Sequence, residues 1–72
     1  MILEEQIKIL ESIKNAGNIV MIKFDGERKK NQITVLIDFP HPSKQQLIRF
    51  DGENLTSLLD ELIKEYEIKY GI

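Results

Sequence analysis

The sequence predicts an α+β fold in the order α-β-β-β-α: a three-stranded antiparallel meander with two helices packed on one face. Three observations predict it. Apolar residues recur at helical spacing in two segments, one before and one after the middle of the chain. Between them lie three short stretches in which side chains of opposite character alternate. The boundaries carry Asn15-Ala16-Gly17, Asp25-Gly26 and the prolines Pro40 and Pro42, residue types that end regular structure.

Residues 2–16 read as the first helix. Ile2, Leu3, Ile7, Ile9, Leu10 and Ile13 fall within about half the circumference at 100° per residue, opposite Glu4, Lys8, Glu11 and Asn15. That apolar face is wider than a helix lying on one sheet needs. Gly17 suits the left-handed position that follows a last helical turn.

Residues 18–25 and 32–39 read as two strands joined by the loop DGERKKN, with a turn at Asp25-Gly26. Val20, Ile22 and Phe24 point one way on the first, and Ile33, Val35, Ile37 and Phe39 one way on the second. The two prolines end the second strand, because neither can donate to a ladder. Residues 46–50 form a shorter third strand, with Ile48 and Phe50 on the core side. From about residue 54 to 66 or beyond, Leu55, Leu58, Leu59, Leu62, Ile63, Tyr66 and Tyr70 make one narrow stripe. Asp60, Glu61, Lys64 and Glu67 cover the rest of this second helix, and Asn54 or Asp51 can cap its start.

Pairing Phe24 with Ile33 sets Ile22 beside Val35 and Val20 beside Ile37, and then Ile48 beside Ile37 and Phe50 beside Val35. Every core-side residue meets another apolar residue, and a slip by one residue would turn them all outward. The opposite face follows without further choice. Its rows are Lys23-Thr34-Asp51, Met21-Leu36-Arg49 and Ile19-Asp38-Leu47. With both helices on the other side, Ile19, Met21, Leu36 and Leu47 form an apolar patch facing water, ringed by charges such as Arg49. A polar-rimmed patch of this kind marks a partner surface.

The chain has 72 residues, 42% hydrophobic and 31% charged, which fits one small globular domain over 1–72. A core of this size supplies only about 3–5 kcal/mol, so good packing or self-association must support it. There is no cysteine, and so no disulfide or thiolate metal site. The sequence starts Met-Ile-Leu-Glu-Glu, without the basic region of a signal peptide, and no apolar run approaches membrane length. A cytoplasmic protein is the expectation. Net charge is −2, unevenly spread. In residues 51–72, Asp51, Glu53, Asp60, Glu61, Glu65 and Glu67 outweigh Lys64 and Lys69 to give −4. A general nucleic-acid binder should carry a basic surplus instead.

No catalytic constellation emerges. A short repeat, Phe24-Asp25-Gly26-Glu27 and Phe50-Asp51-Gly52-Glu53, brings four carboxylates to one end of the sheet. Two strand spacings hold the copies about 10 Å apart, while the oxygens around a cation must lie within about 2.6 Å of it. Asp-Gly is also simply a favoured exit from a strand. His41, the only histidine, lies between two prolines with no second metal-ligand type beside it. Ser12, Ser43 and Ser57 lie in no nucleophile elbow, and no glycine-rich phosphate loop exists. Arg28, Lys29 and Lys30 form a basic tip on the first hairpin that could meet phosphates, although no aromatic is interleaved to stack bases.

The α-β-β-β-α order is similar to that of double-stranded-RNA-binding domains, which also place two helices on one sheet face. The resemblance extends to element order only. Those domains start their last helix with lysines that meet phosphates, where this chain has Asp51-Gly52-Glu53-Asn54. Their histidine-bearing hairpin loop is also missing from DGERKKN, so no functional residue carries over.

The sequence therefore leads to the expectation of a non-enzymatic protein-binding module, an inhibitor, adaptor or regulatory protein, with no cofactor. Its candidate surfaces are the sheet face (Ile19, Met21, Leu36, Leu47, Arg49) and the acidic side of the last helix (Asp60, Glu61, Glu65, Glu67). The partner is a protein or a second copy of the chain. The alternative is weak nucleic-acid binding through Arg28, Lys29 and Lys30.

Overall fold

Alternating side chains on three strands demand a cover for one face, and the computed structural model supplies it with two helices. It describes residues 1–40 and 47–70. The elements are α1 (Leu3–Asn15), β1 (Ile19–Phe24), β2 (Ile33–Asp38), β3 (Ile48–Gly52) and α2 (Leu55–Tyr70). The sheet is antiparallel in the order β1-β2-β3. Its register is the one the sequence predicts: Phe24 faces Ile33, Ile22 faces Val35, and Ile48 faces Ile37. Register agrees with burial, since it sets Val35 and Ile37 of β2 beside Ile22, Val20, Phe50 and Ile48 on the covered side. A slip by one residue would turn a neighbouring strand's apolar residues outward.

The core is built around β2 and α2. Val35, Ile37, Leu59 and Leu62 have no exposed surface, and Leu10, Ile13, Ile48, Leu58, Ile63 and Tyr66 complete the cluster. Phe39 closes one end, stacked on Tyr66 at 6.1 Å and tilted against Tyr70 at 4.8 Å between ring centres. Asn54 starts α2 by accepting a hydrogen bond from the Ser57 N–H at 3.0 Å, the expected N-cap. Gly17 ends α1 at φ +96°, where a side chain would be strained.

Two details differ from the sequence reading. First, the third strand runs on through Asp51 and Gly52, which pair with Thr34 and Ile33. Asp51-Gly52 is therefore the last part of the ladder and not an exit turn. A Cβ at Gly52 would lie 3.0 Å from the end of the Leu58 side chain, which would have to give by a few tenths of an ångström to admit it. Second, only part of the apolar face of α1 turns inward: Leu10 and Ile13 are buried and Ile9 packs against the core. The most buried residue of α1 is Gln6, whose amide donates to Thr56 O at 2.8 Å and to Asp60 Oδ1 at 2.7 Å on α2. Ile2, Leu3 and Ile7 of the wide apolar face stay exposed, and Ile22 on β1, read as core, is only half-buried. A buried polar side chain with partners can outcompete an apolar one for a helix–helix contact, and periodicity cannot show it.

Leu62→Ala should cost about 2–5 kcal/mol, a large part of the stability of so small a domain. Denaturant unfolding measures it; a loss under about 1 kcal/mol would remove Leu62 from the core.

Candidate functional site

Neither helix touches the second face of the sheet. There, Ile19 and Met21 keep 50% and 44% of their surface exposed, and Leu36 beside Met21 is half-buried; Leu47, just before β3, is 49% exposed. Met21, Leu36 and Arg49 form one row across the three strands, and Ile19 pairs with Asp38 in the next. The ladder sets Ile19, Met21 and Leu36 on this face, while Leu47 precedes β3 and lies outside the paired residues. Arg49 stands beside them but is engaged, donating to Asp51 from Nε and Nη2, each at 3.2 Å.

The third row, Lys23-Thr34-Asp51, is where the first hairpin folds back. Asp25 N–H donates to Gln32 O at 2.7 Å, closing the loop, and Asp25 Oδ1 accepts the Glu27 N–H at 3.0 Å. Asn31 takes a left-handed φ of 54°, which asparagine tolerates better than most residues. Gln32 braces the loop from inside through Nε2 to Arg28 O. The result carries Arg28 across the sheet. Its Nη1 lies 3.0 Å from Thr34 Oγ1, 3.0 Å from Asn31 O and 3.1 Å from Asp51 Oδ1, and its Nε lies 3.2 Å from Asp25 Oδ2. Thr34 also donates to Asp51, and under this cover it is only 3% exposed.

This network changes the standing of the basic tip. Arg28 is held by two carboxylates, while Lys29 and Lys30 remain exposed. Two lysines make a poorer phosphate site than three cations, because each phosphate contact adds to affinity. Sequence reasoning singled out Arg28 for its charge and missed its attachment to Asp25 and Thr34. The signal was present: the register already set Thr34 and Asp51 side by side, and a polar row on an otherwise apolar face needs a partner.

The two FDGE segments have different roles. Asp25 belongs to the loop and also lies 3.6 Å from Lys23, whereas Asp51 belongs to β3 and serves the two arginines. Among the described residues no group of acids or histidines is placed to hold a metal ion. No described helix is long and apolar enough to cross a membrane. His41 and Ser43 lie outside the described residues. On α2, Asp60 and Glu61 are exposed; Asp60 receives Gln6, and Glu65 lies 3.8 Å from Lys69. Comparison with protein-family models, with curated proteins and with solved structures finds no match to this chain.

The hydrogen bonds from Arg49, then from Thr34 and Arg28, hold the Asp51 carboxyl down to about 2, and Asp25 is lowered too, first by the Glu27 N–H. A depressed carboxylate adds stability that is complete above its ordinary value of 3.8 and is lost as pH falls through about 2. Wild type should therefore melt above Asp51→Asn near neutral pH, and the gap should close between pH 3.8 and about 2. A gap that persists below that window would detach the effect from Asp51 ionisation.

Proposed function

We propose that this chain is a non-enzymatic protein-binding module that docks a partner on the open face of its sheet. One observation carries the reading: Ile19, Met21 and Leu36 share a sheet face that neither helix covers, bounded by the Arg28–Asp51–Arg49 network, with the exposed Leu47 immediately before β3. The network fixes the rim, so a partner meets a face with little left to order. Preorganisation of this kind favours binding, because fewer side chains must be immobilised on contact. A regulatory, inhibitory or adaptor role is the kind of work such a surface supports, with a second copy of the chain as one occupant. The acidic side of α2 is a subsidiary surface suited to a basic partner.

The test compares capture from the native lysate by wild type, by Leu36→Lys with Leu47→Lys, and by Glu61→Lys with Glu67→Lys, each checked for folding by circular dichroism. Partners should be lost with the first pair and kept with the second. Partners kept by the sheet-face variant would move the site elsewhere. Salt-sensitive oligonucleotide binding tighter than micromolar at about 150 mM salt, lost on changing Lys29 and Lys30 to Ser, would favour the nucleic-acid alternative.

A further inference from the structure

The helical layer is wider than the sheet beneath it. α1 touches β1 and α2 but neither β2 nor β3, while α2 touches β2 and β3 but not β1. Two helices packed side by side need about 8–10 Å between axes, which covers roughly four strands at about 4.8 Å each. Only three strands are present among the described residues. α1 therefore overhangs the free edge of β1.

The underside of that overhang is apolar and open. Ile7 and Leu3 on α1 remain 39% and 41% exposed. Ile7, Leu10, Glu11, Lys14 and Val20 line a cleft of about 190 Å³ there. Further along β1, Phe24 is 67% exposed although it points to the helical side.

The backbone of β1 completes the feature. Asp25 N–H bonds Gln32 O directly opposite it, which makes that pair a hydrogen-bonded rung. Rungs alternate in an antiparallel ladder, so Lys23, Met21 and Ile19 bond to β2. Val20, Ile22 and Phe24 then direct their N–H and C=O groups outward from the sheet. β1 carries no proline, its pairing is unbroken, and Lys23 is its one charge. β3, the other edge, has Arg49 and Asp51 locked together and ends in Gly52. The usual devices that discourage strand addition are thus weakest on β1.

We infer that β1 accepts an extended, apolar peptide segment of a partner protein as a fourth strand, seated beneath α1. Side chains of the added strand on the helical side meet Ile7, Ile22 and Phe24, and those on the other side meet Ile19, Met21 and Lys23. A β-branched or aromatic segment with an acid opposite Lys23 fits both. A second copy of the chain does not fit. Bonding through the outward groups of Val20, Ile22 and Phe24 places both sets of helices on the same face. The two α1 helices would then compete for one slot, since adjoining strands are only about 4.8 Å apart and helices need about 8–10 Å. The edge and the open face are different surfaces, so either proposal can fail alone.

The probe is a synthetic peptide with the sequence of residues 18–25, which matches the edge but brings no helix. N-methyl groups at its Met21 and Lys23 positions block its own aggregation and leave one bonding edge. The amides of Val20, Ile22 and Phe24 in the protein should shift on titration and gain protection from hydrogen exchange, while those of Leu36 and Leu47 should not. A peptide methylated at its Val20, Met21, Ile22, Lys23 and Phe24 positions, with both bonding edges blocked, should not bind. Ile7→Lys should weaken binding about tenfold or more, and Leu36→Lys should leave it unchanged. Failure to bind, or shifts confined to Leu36 and Leu47, would overturn the inference. Protection of the three edge amides without peptide, in a protein that light scattering shows to be dimeric, would overturn it in favour of a second copy.

Discussion

Burial of Val35 and Ile37 beneath Leu59 and Leu62 decides the remaining architecture. All four are removed from water, and they join the central strand to the longer helix. Once β2 turns its odd-numbered apolar residues to α2, the ladder turns Ile48 and Phe50, and on the other side Val20 and Ile22, the same way. Period-two geometry then leaves Leu36, Met21 and Ile19 on the far face with no helix to cover them. The exposed patch is thus a consequence of how the core is made, and burying it would require another molecule.

α1 contributes less to this core than its apolar content suggests. Only Leu10 and Ile13 among its apolar residues are buried, and its tie to α2 is the Gln6 amide bridging Thr56 and Asp60. A polar clamp sets the distance and rotation between two helices more specifically than interchangeable methyl groups do. It also holds α1 over the edge of β1, with Leu3 and Ile7 facing water. The domain therefore has two unsatisfied apolar regions, one under α1 and one on the open face, joined across β1 by Met21 and Ile22.

Much of this was legible in the sequence, for physical reasons that can be named. The strand register was legible because pairing Phe24 with Ile33 across the DGERKKN loop sets Ile22 and Val20 against Val35 and Ile37, and then Ile48 and Phe50 against the same two residues. The α2 stripe was legible because a helix on a sheet needs one narrow apolar band, and Leu55 to Tyr70 repeat at that spacing. Gln6 was not legible, since hydrophobic periodicity scores a glutamine as surface whatever it bonds. The end of β3 was misplaced because Asp51-Gly52 has the composition of a turn, while Thr34 and Leu58 give that pair a use within the ladder. Arg28 was read for its charge alone, and its role came from a loop conformation fixed by Asp25, Asn31 and Gln32. Long-range polar contacts depend on where loops fold, and local pattern carries little of that.

The central claim is that the sheet is covered on one face only, and methyl groups on β2 report it most directly. Solvent paramagnetic relaxation from a soluble, uncharged probe, measured on the methyl groups of the monomeric protein, compares neighbours on one strand. The account predicts strong attenuation at Leu36 and Leu47 and almost none at Val35 and Ile37. Equal attenuation at Leu36 and Val35, or protection of Leu36 and Leu47 in a monomer, would contradict it.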